Sequence, residues 1–404
     1  MKVDKSYKIE LDPTKEQVIL FQKHVGVARF VYNWALAKRI EEYKTTGKTS
    51  SEYEQHKQLN ALKKIDFPWM YETSKCAAQH ALKNLDTAYK NFFRNLKQGK
   101  KPGFPKFKSK KTSRESFFLD GKIHVFDGQI QLPKIGKVKL KEKGYIPTIG
   151  VKIISATVSK RAGRWFVAVS TQQEMPELKA TGEVIGIDLG VKTLAVLSDG
   201  RSFPNHKALQ KHSKKLARLQ RQVSRKVKGS NNREKAKQKV TKLHYKIFNT
   251  RSDSIHKMTS QILARTKPEQ ERPSKIVIED LNVKGMMKNR TLAKSLANVS
   301  FSEVRRQLEY KCKWYGVELV IVDRFFPSSK TCSSCGVVNE GLSLNDREWT
   351  CVCGAVHDRD LNAAINLKNT VNSAEIYACG DLVRLGSSSM NRRSKNQKPS
   401  KIGF

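Results

Sequence analysis

Two short apolar runs that each end in a carboxylate constrain the fold of this chain more than any other feature. Residues 184–187 run directly into Asp188, and residues 276–278 run into Glu279. Apolar runs of this length, bounded by turn residues, are typical of buried strands. Further strands are expected at 194–197 and 317–322. From residue 181 onward the pattern therefore predicts an α/β fold with both acids at strand ends.

A third carboxylate, Asp360, opens residues 360–367, which have the pattern of a helix start. Any one such acid is often only a helix or turn cap. Three together can hold two hard divalent cations, Mg²⁺ or Mn²⁺, which prefer oxygen ligands. Two cations about 4 Å apart stabilise the attacking and leaving oxygens of a phosphodiester. The triad therefore predicts a metal-dependent nuclease rather than a passive binding protein.

The formal net charge of +41 over 404 residues limits the kinds of partner that this chain is expected to bind. Its natural partner is a long polyanion; nucleic acid is the leading candidate and a membrane surface the weaker one. The sequence has no apolar run long enough to span a bilayer, no signal peptide and no lipidation motif. It also lacks a GxxxxGK phosphate loop. We therefore expect a cytoplasmic, nucleoid-associated protein that binds neither membrane nor ATP.

The basic residues are concentrated in residues 207–246, which hold 15 Lys or Arg and a single acid, Glu234. Two apolar stripes at helical spacing, 216–227 and 240–247, predict a helical hairpin with a basic outer face. A solvated coiled hairpin is the alternative, but surface helices normally mix charges of both signs. Phosphate contacts are expected from Lys214, Lys215, Arg218 and Arg221.

The N-terminal half has two further patterns. Residues 11–98 are mostly helical by periodicity, with a helix start at 12–17 and a polar face that includes Lys75 and Gln79. Residues 116–176 contain several short strands, with a hairpin turn at 161–164, and predict a small barrel. A basic linker rich in Lys, Gly and Pro, residues 99–111, connects the two.

Four cysteines near the C-terminal end predict a zinc ribbon. Cys332 and Cys335 have knuckle spacing, and 15 residues separate this pair from Cys351 and Cys353. The second pair is one residue shorter than usual. His357 is a conceivable substitute ligand, although a polar loop histidine is the better interpretation. A closed site of four thiolates is structural, so Zn²⁺ is expected to support folding rather than hydrolysis.

Five segments together resemble the transposon-encoded TnpB (OrfB) family: 32–34, 186–190, 278–281, the cysteine ribbon and 357–364. The resemblance implies an RNA-guided DNA endonuclease, a compact relative of type V CRISPR effectors. It implies a RuvC-like RNase H fold in which Asp188, Glu279 and Asp360 hold magnesium. It also implies a guide RNA from the transposon end, a double-stranded DNA target, and help from Lys75 and Gln79 in reading the target-adjacent motif.

The expected architecture is an α/β and β multidomain protein. An OB-like wedge barrel at 1–10 and 113–180 is interrupted by a helical recognition domain with its basic linker at 11–112. The RuvC-like nuclease domain occupies 181–325 and 354–380, with the zinc ribbon at 326–353 between its parts. Residues 381–404 are expected to form a basic, disordered tail.

Two other functions remain open. A nuclease-dead relative acting as an RNA-guided DNA-binding repressor would keep the basic surface and lose a carboxylate, whereas all three are present. A DDE-type transposase or integrase shares the fold class and the acidic triad. The ribbon placed just before Asp360 favours the guided nuclease. A tyrosine transposase is disfavoured because no two of the nine histidines are two residues apart.

Overall fold

The computed structural model describes residues 1–264, 268, 271–289, 293–343 and 346–377. The basic tail predicted at 381–404 lies outside them. Within these residues the chain forms two compact units, which are described separately. The first comprises Met1–Leu178 with His206–Lys257, and the second comprises Lys179–Asn205 with the described residues from Met258 onward.

Seven strands form one antiparallel sheet in the first unit. They are β1 (Lys2–Asp12), β2 (Ser116–Asp120), β3 (His124–Phe126), β4 (Gln129–Leu132), β5 (Gly136–Leu140), β6 (Val151–Arg161) and β7 (Arg164–Glu174). Their order across the sheet is β2-β6-β7-β1-β5-β4-β3. Strand β1 pairs with β7 from Lys2 opposite Glu174 to Leu11 opposite Trp165. The first strand of the chain therefore lies inside the sheet and not at its edge.

The turn predicted between β6 and β7 is confirmed. Arg161 pairs directly with Arg164, which leaves a two-residue loop. The loop residues Ala162 and Gly163 both have positive φ, 51° and 82°. Positive φ at both positions is what a type I′ hairpin turn requires, and its twist matches that of the flanking strands.

Three helices follow β1: α1 (Lys15–Thr46), α2 (Glu52–Ile65) and α3 (Lys75–Lys97). Helix α1 starts where the sequence predicts it. The Thr14 hydroxyl accepts the backbone N–H of Gln17, and the Gln17 side chain accepts that of Thr14, which makes a capping box. Helices α1 and α3 share an apolar core that includes Val31, Leu36 and Leu82.

The predicted basic hairpin consists of α4 (Ala208–Lys211), α5 (Ser213–Ser224) and α6 (Asn231–Ile262). Leu216, Leu219, Leu243 and Ile247 form its buried seam, as the stripes predicted. Val227 was expected in the same stripe but is 77% exposed. The reason is that α5 ends at Ser224, so the helical spacing no longer places Val227 on the buried side.

Five strands form the sheet of the second unit. They are β8 (Ile185–Asp188), β9 (Thr193–Leu197), β10 (Ser202–Pro204), β11 (Lys275–Glu279) and β12 (Glu318–Val322). The order is β10-β9-β8-β11-β12, with β8, β11 and β12 parallel and the first two antiparallel. The four strands predicted from the sequence here are confirmed, and so is the α/β character of this part.

The helices of the second unit are α7 (Val283–Met286), α8 (Ala293–Val299), α9 (Phe301–Tyr315) and α10 (Arg359–Tyr377). A small hairpin of β13 (Glu348–Thr350) and β14 (Val356–Asp358) precedes α10. Leu367 of α10 is buried against Val277 of β11. Across the described part of the chain, every helix is too short or too polar to cross a bilayer.

Candidate metal centres

Two of the three predicted acids end neighbouring parallel strands. Ile187 of β8 lies opposite Ile278 of β11, and the next residue in each strand is the acid, Asp188 or Glu279. Because parallel strands end at the same edge of a sheet, both carboxylates leave the sheet at one edge. The three residues before the acid in each strand are buried, which fixes the two backbones from which these side chains extend.

Helix α10 brings the third acid to this edge. A Cβ atom on Gly186 would lie 2.0 Å from the carbonyl oxygen of Ala364 and 2.6 Å from the amide nitrogen of Lys368. The backbone of α10 therefore lies directly on β8, closer than any side chain at residue 186 would permit. Asp360 is in the first turn of this helix. Gly186 thus determines how close Asp360 can lie to Asp188.

The electrostatics show that the three carboxyls lie close together. Burial first, and then the charges of the nearby Asp360 and Glu279 carboxylates, raise the pKa of Asp188 to about 7. The pKa of Glu279 is also raised, first by burial and then by the adjacent Asp280. Among the described residues, however, the three acids do not converge within 4.8 Å as the cysteines do.

Asp360 makes its own ion pairs with arginine. Nη1 of Arg347 lies 3.1 Å from each of its carboxylate oxygens, and Nη2 of Arg359 lies 3.6 Å from Oδ1. Arg347 directly precedes β13, within the segment predicted as the zinc ribbon. No local sequence pattern marks Arg347 as a partner of Asp360.

The four predicted cysteines converge. Their sulfur atoms all lie within 4.8 Å of one another, with 3.8 Å between Cys332 and Cys353 and 3.6 Å between Cys335 and Cys351. Four thiolates around a zinc ion are about 3.8 Å apart, given a Zn–S distance of about 2.3 Å. The donor set therefore fits tetrahedral zinc.

The short spacing between Cys351 and Cys353 does not pull the sulfurs apart. Gly354 has a φ of 85°, and its amide donates to the carbonyl of Cys351 at 2.9 Å. This tight turn leaves Val352 exposed at the tip. Glycine is suited to a left-handed conformation at this position because it carries no Cβ.

His357 is not the polar loop residue that the sequence analysis favoured. It lies in β14, is buried, and its Nε2 is 3.0 Å from the sulfur of Cys332. The ring also lies 4.9 Å from that of Trp349, centroid to centroid. Because four sulfurs already converge, the site does not need His357 as a ligand. His357 instead contacts the sulfur of Cys332 from outside the group of four cysteines, an arrangement typical of metal sites.

Two asparagines join the cysteine ribbon to α10. Asn362 donates to the carbonyl of Thr331 at 2.7 Å and accepts the backbone N–H of Ser333 at 2.9 Å. One turn later, Asn366 donates to the carbonyls of Thr331 and Ser328 at 2.6 and 2.7 Å. Both side chains are buried. The first cysteine knuckle and the helix that carries Asp360 are therefore one hydrogen-bonded assembly.

Lys75 and Gln79 lie on one face of α3, one turn apart. Lys75 is exposed and is the first residue of the helix after its cap, Ser74. Gln79 Nε2 lies 3.2 Å from Nε2 of His56 on α2. His56 thus belongs to the same polar face, and nothing in its sequence context indicated this.

The four basic residues predicted on the hairpin, Lys214, Lys215, Arg218 and Arg221, are all exposed on α5. Glu234, the single acid of the segment, pairs with Lys237 at 2.6 Å. Within the described residues none of the four makes an ion pair. The described part of the chain therefore leaves these four charges without a carboxylate partner.

The comparisons with known proteins agree on one family. The OrfB_IS605 model, described as "Probable transposase", matches residues 157–290. The Cas12f1-like TNB domain matches 301–367, and the helix-turn-helix domain of OrfB_IS605 matches 1–48. In this structure residues 1–48 form a strand and one long helix and not a helix-turn-helix.

Two relatives cover nearly the whole chain. A Streptomyces pristinaespiralis protein named "Putative RNA-guided DNA endonuclease" is 38% identical over 98% of this chain and 96% of its own length. "Putative RNA-guided DNA endonuclease InsQ" of Escherichia coli is 32% identical over 96% of each. A solved Cas12f1 complex with sgRNA and target DNA is similar in fold. Its TM-score is 0.58 at 16% identity, over 91% of this chain and 99% of that one.

Proposed function

The chain belongs to the OrfB (TnpB) family of transposon-encoded RNA-guided DNA endonucleases, and from that premise we propose that it cuts double-stranded DNA at sites selected by a bound guide RNA. The observation that carries the proposal is the gathering of Asp188, Glu279 and Asp360 at one sheet edge. A buried carboxyl whose pKa is raised to about 7 by burial and two neighbouring acids is poorly stabilised by the protein alone. Such a cluster suits a cation site.

The three acids offer only oxygen donors, which fits Mg²⁺ or Mn²⁺ and not a softer metal. When bound, a pair of such cations neutralises charge on the attacking and leaving oxygens of a phosphodiester. Strands β8 and β11 hold Asp188 and Glu279 in place, and α10 positions Asp360. Since Asp188 has a raised pKa, it must give up a proton as it becomes a ligand.

We assign the parts of the fold by the same premise. The five-stranded sheet with α9 and α10 corresponds to a RuvC-like RNase H domain. The seven-stranded sheet corresponds to an OB-like wedge barrel, and α1 to α3 form the recognition domain inserted after β1. The cysteine ribbon holds a structural Zn²⁺, and its hydrogen bonds to Asn362 and Asn366 make it a support for Asp360.

The proposed partners are a guide RNA from the transposon end and a double-stranded DNA target, which would place the protein at the nucleoid. Guided recognition assigns sequence reading to base pairing, while the protein binds the heteroduplex through phosphates. The net charge of +41 and the unpaired cations of α5 support this division. Lys75 and Gln79, one turn apart on α3, are the proposed readers of the target-adjacent motif.

The proposal is tested by removing each acid in the RNA-loaded protein. Asp188→Ala, Glu279→Ala and Asp360→Ala should each abolish Mg²⁺-dependent cleavage and leave target binding within a few-fold of wild type. Asp199→Ala is the matched control, because this acid lies at the turn between β9 and β10 and pairs with Arg201. Cleavage at the wild-type rate by an acid variant would reject the triad as the cation site.

A second experiment separates the guided nuclease from the alternatives. Protein purified from cells should carry a discrete RNA, and protein stripped of that RNA should not cut a double-stranded target. Restoring the RNA should restore cutting only at a matching sequence beside the correct flanking motif. Site-specific cleavage without RNA would favour the integrase-like function, and guided binding without any cleavage would favour the repressor.

A further inference from the structure

A cavity of about 550 Å³ lies within the first unit, between helices α1 and α3 and strand β2. It has no part in the acidic site or the cysteine ribbon. Its volume falls in the range of about 300–1,000 Å³ that is typical of sites for small ligands. The floor is apolar, with Ala28, Ala77 and Ala81 leaving the space open because none has a side chain beyond Cβ.

The charged side chains around the cavity are mostly positive, and the lining residues offer no free carboxylate to pair with them. Arg29, Lys108 and Arg114 line it, and Glu115 is the single acid that does so. Glu115 is already bound to Lys160 at 3.3 Å. None of the three cations has a carboxylate partner in the described part of the chain. A concave site with three cations and no available counter-ion is an anion site.

Lys108 is held in place, unlike an ordinary linker lysine. Its backbone N–H donates to Oδ1 of Asn33 at 2.8 Å, and its carbonyl accepts Nδ2 of the same residue at 2.9 Å. Its ammonium lies 3.7 Å from the centre of the Tyr32 ring. Burial lowers its pKa from the ordinary value. The cation is thus preorganised and partly desolvated, which strengthens its attraction for an anion.

One wall of the cavity is aromatic. The rings of His80 and Phe118 are stacked, with centroids 4.1 Å apart and planes within 11°. The side-chain amide of Asn84 also holds this ring, with Nδ2 at 3.1 Å from Nδ1 of His80. Burial first, and then the charges of Lys83 and Lys108, lower the pKa of His80, against the opposing effect of the Asp120 carboxylate. The lowered pKa favours the neutral imidazole, so an aromatic ring without its own charge lies beside the cations.

From this combination we infer that the cavity is a binding site for one unpaired nucleotide of a nucleic-acid strand, with its phosphate on Arg29, Lys108 and Arg114 and its base beside the His80–Phe118 pair. A phosphate alone would leave most of the volume empty, whereas a nucleotide has the anionic and the flat aromatic part that the two walls suit. Base stacking on aromatic side chains is a common device in sites for single strands. The inference rests on the proposed function in that the strand belongs to the guide or to its target.

Phosphate ethylation interference on the full-length, RNA-loaded protein provides the test, because ethylation makes one phosphate neutral at a time. In one arm the guide RNA is ethylated, and in the other the target DNA is. We expect wild-type protein to lose about 10-fold in affinity at one linkage of one strand. The arm in which this happens identifies the strand. In the Arg29→Gln, Lys108→Gln double variant the interference at that linkage should disappear while interference elsewhere remains.

The matched control is Lys110→Gln, Lys111→Gln, which removes the same charge from exposed residues of the same linker. Its interference pattern should equal that of wild type. An abasic nucleotide at the sensitive position should also weaken binding, because the aromatic wall would lose its partner. If the double variant is poorly folded, Arg114→Gln replaces it, since that side chain is exposed.

Equal interference patterns in wild type and in the cavity variants would overturn the inference, even if guided cleavage is intact. An abasic position with full affinity would reject the base contact. Failure of the protein to bind any RNA or DNA would instead reject the proposed function. The two failures are therefore distinguishable.

Discussion

The guanidinium of Arg347 lies 3.1 Å from both carboxylate oxygens of Asp360, so a ribbon residue neutralises one of the three clustered acids. Asp360 is the acid that approaches β8 on a helix and not on a strand. Since a carboxylate oxygen that accepts from arginine is less available to a cation, the ion pair and the proposed metal ligation compete. Partly exposed ion pairs of this kind contribute about 0–1 kcal/mol.

Arg347→Gln should therefore lower the Mg²⁺ concentration needed for half-maximal cleavage, by up to about five-fold. Arg201→Gln is the control, because Arg201 pairs with Asp199 at a comparable exposure and is not paired with the triad. The measurement is a Mg²⁺ titration of cleavage by each RNA-loaded variant. A higher Mg²⁺ requirement in Arg347→Gln would mean that this arginine assists the site and does not compete with the cation.

Gly186→Ala should reduce cleavage by about 100-fold or more without removing a ligand. The added methyl would meet the backbone of α10 at Ala364, so the helix must move away from β8. Overpacking costs about 1–3 kcal/mol, and a displacement of about 1 Å at a catalytic group costs about 100-fold in rate. Gly26→Ala, in α1 with open space around it, is the control. Unchanged cleavage by Gly186→Ala would show that α10 tolerates the shift.

The acidic cluster should make the stability of the metal-free protein depend on pH. The folded pKa of Asp188, about 7, lies above its unfolded value, so the folded state retains this proton as pH rises. Stability is therefore lost as pH rises from about 4 to 7. Asp188→Asn should raise the melting temperature in EDTA at pH 8 more than at pH 5. Asp199→Asn should show no such increase, since hydrogen bonds and charge from Arg201 lower the pKa of Asp199 despite partial burial. A gain from Asp188→Asn that is equal at both pH values would contradict the assignment.

Cation binding should depend on the protonation state of Asp188. Because Asp188 must be deprotonated to act as a ligand, apparent Mg²⁺ affinity should rise as pH increases through about 7. Calorimetry in two buffers of different ionisation enthalpy would measure the protons released. Mg²⁺ affinity that does not change between pH 6 and 8 would argue that Asp188 is outside the site.

Zinc loss should affect the acidic site through α10. Cys332→Ser, Cys335→Ser should reduce the zinc content from one ion per chain to nearly none and should also slow cleavage, because Asn362 and Asn366 bond to the knuckle that zinc orders. Ser334→Ala changes the same loop without removing a sulfur and serves as the control. Elemental analysis gives the metal content. Full zinc content in the double variant would place the ligands elsewhere.

The exposed cations of α5 should set the salt dependence of nucleic-acid binding. Replacing Lys214, Lys215, Arg218 and Arg221 by Gln should flatten the slope of log K against log salt by about one for each phosphate that the variant no longer binds, for all sequences alike. Four exposed lysines of α1, α2 and the loop between them provide a control of equal charge: Lys44, Lys48, Lys57 and Lys64. A change in the accepted flanking motif would instead identify α5 as a base reader.

The sequence predicted what short-range patterns encode. The apolar runs before Asp188 and Glu279 marked strands, and Thr14 with Gln17 marked the start of a helix. The convergence of four sulfurs followed from cysteine spacing. Each of these signals lies within a few residues or in a periodicity that is characteristic of one element.

Contacts between distant residues could not be predicted in this way. Nothing near Arg347 indicates that it reaches Asp360, and nothing near His357 indicates that β14 carries it into a buried position beside Cys332. The cavity at His80 and Lys108 needs two helices, a linker and a strand to be assembled. Such features depend on the tertiary fold, which a single sequence without its packing does not specify.

The central position of β1 in the seven-stranded sheet has a consequence for synthesis on the ribosome. Its longest pairing is with β7, which ends at Glu174, so about 160 residues are translated after β1 before this pairing is complete, which takes roughly 8–30 s at about 5–20 residues per second. Until β5 and β7 have been translated, the backbone hydrogen-bonding groups of β1 lack their partners in the sheet. Its lysines, Lys2, Lys5 and Lys8, recur at every third position, and their charge disfavours association with strands of neighbouring polypeptides. The three helices encoded in between can meanwhile pack on one another, so the helical part should acquire protease resistance before the sheet that contains the first strand.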